Sequence, residues 1–283
     1  MNILVTGSSG FIGNYLLKKL EVLGHNVLCF SHLDGDIQNF NFNSKYKNIE
    51  IDLIYHLAGK TFVPDSWIDP SSFISTNALG TLNILKFSSE KKIPFIYVSA
   101  YIYGIPSNLP IKENSFFEPN NPYAFSKYLA EKFCIFFSKF SEMDINIFRP
   151  FNIYGIGQDK RFLVPEILSR IKNKKSIKVN SLLPRRDYIY IDDVVNALIK
   201  GMKNLNGLNV YNLGSGSSLS VKQIIEVIQK ESNTEFEVIS KNIERINEIE
   251  DVVADISAAK KDLKWQPQTS FNEGIKKMIN KIN

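Results

Sequence analysis

Asn2-Ile3-Leu4-Val5-Thr6-Gly7-Ser8-Ser9-Gly10-Phe11-Ile12-Gly13 is the stretch whose reading decides the fold of this 283-residue chain. Asn2 to Val5 reads as a buried strand. Phe11 to Leu23 reads as a helix, with Ile12, Leu16, Leu20 and Leu23 at helical spacing and Gly24 as its stop. The turn between them has the spacing GxxGxxG. In strand-turn-helix context Gly7 permits the tight turn, Gly10 lets a pyrophosphate approach the backbone, and Gly13 lets the helix pack closely, while the helix N-terminus attracts the anion. The reading is a dinucleotide phosphate loop, with Ser9, Phe11 and Ile12 among its contacts; an ordinary glycine-rich turn is the alternative.

Outward from this stretch, short apolar runs alternate with amphipathic segments, the pattern of βα units that build a parallel sheet. Asn26 to Phe30, Leu53 to Leu57, Phe95 to Ser99 and Ile145 to Phe148 read as further strands, and the stretches near Asn77 to Lys91 and Ala124 to Ser141 as helices. The fold class is α/β, a doubly wound Rossmann sheet. From Asp34 to Glu50 the chain is polar, Asn-rich and too short for a full crossover, so a helix there is missing or reduced. After Pro150 the alternation loosens: a helix near Leu163 to Lys172, a strand around Tyr188, a helix from Asp192, a strand at Asn209 to Tyr211, then helices near Val221 to Lys230 and Asn272 to Lys281. Residues 1–150, with return segments near 188–213, read as the dinucleotide-binding domain, and 151–283 as a smaller, interleaved α/β lobe.

Composition narrows the class. The formal net charge of +5 is spread in Lys-rich stretches without a long basic block, which suits a small anionic substrate better than nucleic acid. The two cysteines, Cys29 and Cys134, fall in apolar elements and read as reduced core thiols. No leader precedes the first strand and no apolar run has membrane-spanning length, so the expected location is the cytoplasm, without a membrane partner. The histidines His25, His32 and His56 have no metal-ligand spacing, and no metal site is expected.

Tyr123-Ala124-Phe125-Ser126-Lys127 sets a phenol and an ammonium four residues apart, on one helical face. Lys127 is expected to lower the phenol pKa, so that Tyr123 exchanges a proton with a hydroxyl or ketone near neutral pH. Ser99 ends a strand at the carboxyl edge of the sheet, where its hydroxyl can steady charge on the reacting oxygen. The plain alternatives are a surface Tyr and Lys, and a serine that only caps its strand.

Taken in order, these motifs resemble the extended short-chain dehydrogenase/reductases, the epimerase/dehydratase family. The further matches are His56-Leu57-Ala58-Gly59 at the end of the fourth strand, Asn77 ahead of Gly80-Thr81, Ser99 with Tyr103-Gly104, Arg149-Pro150-Phe151-Asn152-Ile153-Tyr154-Gly155, and Arg186-Asp187-Tyr188. They span essentially the whole chain. The resemblance implies NADP or NAD as cofactor, a nucleotide-diphosphate sugar as substrate and a homodimer as the assembly. Ser99, Tyr123 and Lys127 would be catalytic. Leu57, Ala58 and Gly59 would pass the cofactor, and Asn77 would contact it or hold Lys127 through water, unless it is a helix cap.

One departure concerns the second strand, where NAD-dependent members carry an acidic residue for the ribose. Ser31-His32 stands there, which favours NADP, with His32 free to face its extra phosphate; alternatively Asp34 serves as the acid. A second departure is Ala100-Tyr101 after Ser99, where dehydratases of the family have an Asp-Glu pair. Dehydration is therefore disfavoured, and Tyr101 is left as a polar contact in the pocket. His56 would serve packing. On the substrate side, Asn152 would contact the diphosphate or sugar, Arg186 and Arg245 the diphosphate, and Glu248 the ribose or base; adjacent Arg185 is an alternative to Arg186. The expected reaction is reduction of a nucleotide-linked 4-keto-6-deoxy sugar, with a 4-epimerase that keeps NAD bound as the alternative. A non-catalytic NAD(P)-binding protein is the reading from another class.

Overall fold

The computed structural model describes residues 1–173, 175–243 and 248–282. The first half is a run of parallel strands and crossover helices: β1 (Asn2–Thr6), α1 (Phe11–Val22), β2 (Asn26–Phe30), the single-turn α2 (Phe42–Lys45) and β3 (Leu53–His56). Two short helices follow, α3 (Val63–Ile68) and α4 (Pro70–Phe73); a π turn, Ile74–Leu79, leads from them into α5 (Gly80–Glu90). Then come β4 (Phe95–Val98), α6 (Pro122–Phe140) and β5 (Ile145–Pro150).

The second half contains β6 (Asn152–Tyr154), α7 (Leu163–Lys172), β7 (Ile177–Val179), β8 (Arg185–Tyr190) and α8 (Ile191–Gly201). It continues with β9 (Leu208–Leu213), β10 (Ser218–Ser220), α9 (Val221–Ser232), β11 (Val238–Ser240), α10 (Ser257–Leu263) and α11 (Phe271–Ile282).

Six parallel strands form the main sheet in the order β2-β1-β3-β4-β5-β9. Alternation along β1 shows why both faces are covered: Ile3 and Val5 join one apolar cluster with Leu53, Tyr55, Ile96 and Phe148, whereas Leu4 joins another with Ile54, Phe95, Tyr97 and Ile147. A parallel sheet buried on two sides is the doubly wound arrangement. The smaller lobe holds β8 between parallel β6 and antiparallel β10, and a parallel pair of β7 with β11. Of the segment expected to return near 188–213, β9 joins the main sheet beside β5 and α8 packs on α1, but Tyr188 stays in the three-stranded sheet.

Two sequence expectations change here, and the expected reduction of a helix holds. No strand forms between residues 31 and 52, so Leu53–His56 is the third strand and not the fourth. The reduced helix is α2, a single turn. With that strand missing, β2 becomes the sheet edge, which leaves Cys29 exposed, and only Cys134 is a core thiol.

Candidate active site

The glycine loop is closed by backbone. Gly7 and Ser8 donate to the Phe30 carbonyl at the end of β2, and Gly10 donates to the Gly7 carbonyl at 3.0 Å. Gly7 has φ +73°, and a Cβ on it would lie 2.6 Å from the Ala58 nitrogen; one on Gly13 would lie 2.3 Å from the Gly7 oxygen. Both positions therefore exclude a side chain. Gly10 is the N-cap of α1, with no side chain capping it and no acidic residue in the first turn, which leaves the positive end of the helix uncompensated beside Ser9, Phe11 and Ile12. Leu57 and Ala58 run against this loop, donating to the Thr6 carbonyl and hydroxyl. The residues fit a bound dinucleotide, whose pyrophosphate such a cradle accepts.

At the ribose end, Ser31 is buried, and His32 and Asp34 are exposed on the turn that follows β2. Asp34 bends back, accepting from the Ser31 amide at 2.8 Å and the Lys45 ammonium at 2.6 Å. Those contacts hold its carboxyl below the usual range.

Helix α6, which carries Tyr123 and Lys127, begins with Pro122 behind Asn121, whose side chain accepts from the Ala124 amide at 2.9 Å. That start fixes the phase of Tyr123 and Lys127. The Lys127 ammonium donates to the Val98 carbonyl at 2.7 Å and stands 4.6 Å from the centre of the Tyr97 ring. Ser99 follows Val98; it is buried, and its hydroxyl has no hydrogen-bond partner among the described residues. An unpaired buried hydroxyl is costly unless something else is there to receive it.

The electrostatics correct one expectation. Burial lowers the Lys127 pKa to about 8, partly offset by Glu131. Burial also pushes the Tyr123 phenol above its ordinary range, with no lowering by Lys127, because that ammonium is turned onto the Val98 carbonyl.

Asn77 is not a helix cap. It lies within the π turn, where its amide oxygen accepts from the Lys60 amide at 2.8 Å and its nitrogen donates to the Lys60 carbonyl and to the Ser126 hydroxyl. Ser126 in turn donates to the Tyr123 carbonyl at 2.7 Å. Gly59 passes between Asn77 and Lys127: a Cβ there would lie 2.9 Å from the Asn77 oxygen and 3.7 Å from the Lys127 nitrogen. His56 is fully buried between the Thr6 and Thr81 hydroxyls, and burial lowers its pKa to about 3, so it packs as a neutral ring.

On the lobe side, Asn152 on β6 donates to the Asp187 carbonyl at 3.2 Å. Arg186 donates to the Ile249 carbonyl and the Glu248 carboxylate. Glu248 is thus drawn onto Arg186. Arg185, the alternative to Arg186, is held by Ser218, Gln223 and Asp251. The Tyr101 hydroxyl turns back onto the Gly104 carbonyl, so its polar group is engaged inside its own loop. Arg245 lies outside the described residues.

Several contributors went unread in the sequence. Ser126 ties Asn77 to α6, and Lys60 ties it to the segment after Gly59. Glu131, four residues past Lys127, makes a buried pair with Arg149 at 2.6 Å; the repeated spacing of four was its available signal. Across the other side, Arg161 pairs with Asp65 at 2.8 Å and covers the Phe62 ring, which also meets Phe162 edge-on. These contacts join the segment after Gly59 to the loop whose Ile156 carbonyl receives the Tyr15 hydroxyl of α1.

Known proteins share the sequence pattern and the fold. The chain is 29% identical over 251 residues to the GDP-6-deoxy-D-mannose reductase of Pseudomonas aeruginosa, covering 84% of this chain and 82% of that one. Its fold superimposes on the UDP-glucose 4-epimerase of Thermotoga maritima solved with UDP-glucose, at TM-score 0.90 and 27% identity over 100% of this chain and 98% of the other. It also superimposes on the RMD protein of Pseudomonas aeruginosa complexed with NADPH, at TM-score 0.90 and 26% identity over 99% and 97% of the two chains. The model of the NAD dependent epimerase/dehydratase family matches residues 3–214. The family model covers three quarters of the sequence, so the chain belongs to that family and is an NAD(P)-dependent enzyme.

Proposed function

We propose that the chain reduces the 4-keto group of a nucleotide-linked 4-keto-6-deoxy sugar, with NADPH ahead of NADH as reductant. The observation that carries the reading is the Ser99 hydroxyl, buried without a protein partner one residue beyond the carbonyl that holds Lys127. A reduced nicotinamide supplies the hydride when bound. Ser99 donates a hydrogen bond to the oxygen as it gains negative charge, and Tyr123 gives it the proton that completes the alcohol. Burial keeps the Tyr123 phenol protonated, the form in which a reductase begins its step and an epimerase ends its first. Arg186 supplies the fork for the diphosphate, with Asn152 nearby on β6. Residues 1–150, with returning α8 and β9, hold the dinucleotide in this reading, and 151–283 hold the sugar nucleotide.

The second reading is a 4-epimerase with retained NAD, in which Ser99 and Tyr123 would serve the same proton exchange. One experiment separates the two. A reductase purifies with little bound dinucleotide and consumes NADPH stoichiometrically with a nucleotide-linked 4-keto-6-deoxy sugar. Sustained interconversion of gluco and galacto nucleotide sugars without added cofactor establishes the epimerase instead.

A further inference from the structure

Tyr97 on β4 is fully buried in the apolar cluster that α6 covers with Ala130 and Cys134, two residues ahead of Ser99. The Lys127 ammonium stands over its ring, 4.6 Å from the centre, while donating to the Val98 carbonyl at 2.7 Å. Two successive residues of β4 thus hold the lysine, Val98 by a hydrogen bond and Tyr97 by its π face. The Tyr97 ring also stacks on His56 at 5.6 Å and 24°. Thr81 gives its proton to the Asn77 carbonyl, so the His56 Nε2 donates to Thr81 and its Nδ1 accepts from Thr6. The imidazole is thereby neutral, and burial beside Lys127 keeps its pKa at about 3.

A buried ammonium needs compensation from its surroundings. Glu131 on the same helix favours the charged form of Lys127, but its carboxylate is engaged by the Nε and Nη2 of Arg149 on β5. Burial raises the Cys134 thiol and the Tyr123 phenol, so both stay protonated and neutral. Asn77 and Ser99 bring neutral groups as well. Among the described residues the electron-rich face of Tyr97 is what remains. Burial raises its own phenol, so the attraction is that of a ring quadrupole for a cation and not of a phenolate. We infer that Tyr97 is a positioning residue: its ring face holds the Lys127 ammonium, as a cation, on the Val98 carbonyl one residue short of Ser99. Its effect on turnover rests on the function proposed above. The hold on the charge is a property of the protein alone. An aliphatic side chain in its place buries Lys127 as deeply and attracts it less, so the proton leaves at lower pH.

The test titrates the ε-carbon NMR resonance of Lys127 in protein carrying isotope-labelled lysine, the peak being identified by its loss in Lys127→Gln, and follows kcat/KM against pH in parallel. In the wild type the resonance titrates at about 8. In Tyr97→Leu the midpoint falls by about one pH unit, the effect of removing a desolvated cation–π contact, and the alkaline limb of kcat/KM moves down with it. Tyr97→Phe keeps the ring face and stays within about 0.3 of the wild type. Thermal unfolding checks the fold, and Tyr97→Met carries the same expectation as Tyr97→Leu if the latter does not fold. A midpoint that stays or rises in folded Tyr97→Leu overturns the inference, even if turnover is lost, and so does a Tyr97→Phe midpoint that falls as far as that of Tyr97→Leu. A wild type that turns over neither sugar overturns the proposed function, and the titration still decides whether Tyr97 holds the charge.

Discussion

Lys127 is a buried cation whose strongest attachment is a backbone carbonyl. Its pKa of about 8 lies below the ordinary 10.5, so its charged form is the one burial opposes. For stability the sign is direct: below pH 8 the ammonium is present in folded and unfolded chain alike and its burial cost is in full effect. Between 8 and 10.5 the folded form releases its proton first and that cost is relieved. In the proposed reduction activity moves oppositely, because a neutral Lys127 removes the positive charge held on the Val98 carbonyl, next to Ser99. The value of kcat/KM for reduction is therefore flat on the acid side of about 8 and falls about tenfold per pH unit above it. Tyr123→Phe, assayed on the plateau, loses about 10²–10⁴-fold in turnover while its dissociation constant for NADPH stays within about twofold. An alkaline limb near 10.5, or near-normal turnover in Tyr123→Phe, contradicts these assignments.

At the scale of the element, α6 presents Tyr123, Lys127 and Glu131 at intervals of four along one face. Glu131 anchors it: its carboxylate takes both the Nε and Nη2 of Arg149, with both side chains 3% exposed. Arg149 also donates to the Tyr103 hydroxyl and the Glu113 carbonyl, and Tyr103 donates to Asn212 at 2.6 Å. The catalytic helix is thereby tied to β5, to the segment after β4 and to β9. Glu131→Leu leaves a buried guanidinium without its carboxylate and costs about 3–5 kcal/mol in urea denaturation, whereas Glu131→Leu with Arg149→Met regains most of it. A single substitution that costs less than about 1 kcal/mol shows that the tie does not hold the helix. Elements of this kind were legible where burial on both faces writes a long apolar run, as in β1, β3, β4 and α6. The three-residue strands β6, β7, β10 and β11 were not, because pairing with distant partners defines them more than their own pattern does. The site divides the same way. The glycine loop, Ser99, Tyr123 and Lys127 announce themselves by local spacing, but Tyr97, Glu131 and Arg161 act through partners that only the fold brings near, and the turned hydroxyl of Tyr101 depends on a loop carbonyl.

The whole molecule presents one face that its own chain leaves open. Phe125, Phe136 and Phe140 are exposed on α6, and Leu79 is exposed where the packed π turn meets α5. A second copy of the chain is the partner proposed for it, and it predicts a dimer by analytical ultracentrifugation that Phe136→Glu converts to monomer. Monomeric wild-type protein, or an unchanged dimer in the variant, excludes this face. A different consequence follows from the position of β9. The outer flank of β5, buried along its whole length, is covered by a strand that the chain supplies only at Leu208–Leu213, after β6, α7, β7, β8 and α8 have been made. At about 5–20 residues per second of synthesis, the nascent sheet waits several seconds with a bare apolar edge, and during that interval a ribosome-associated chaperone has its substrate.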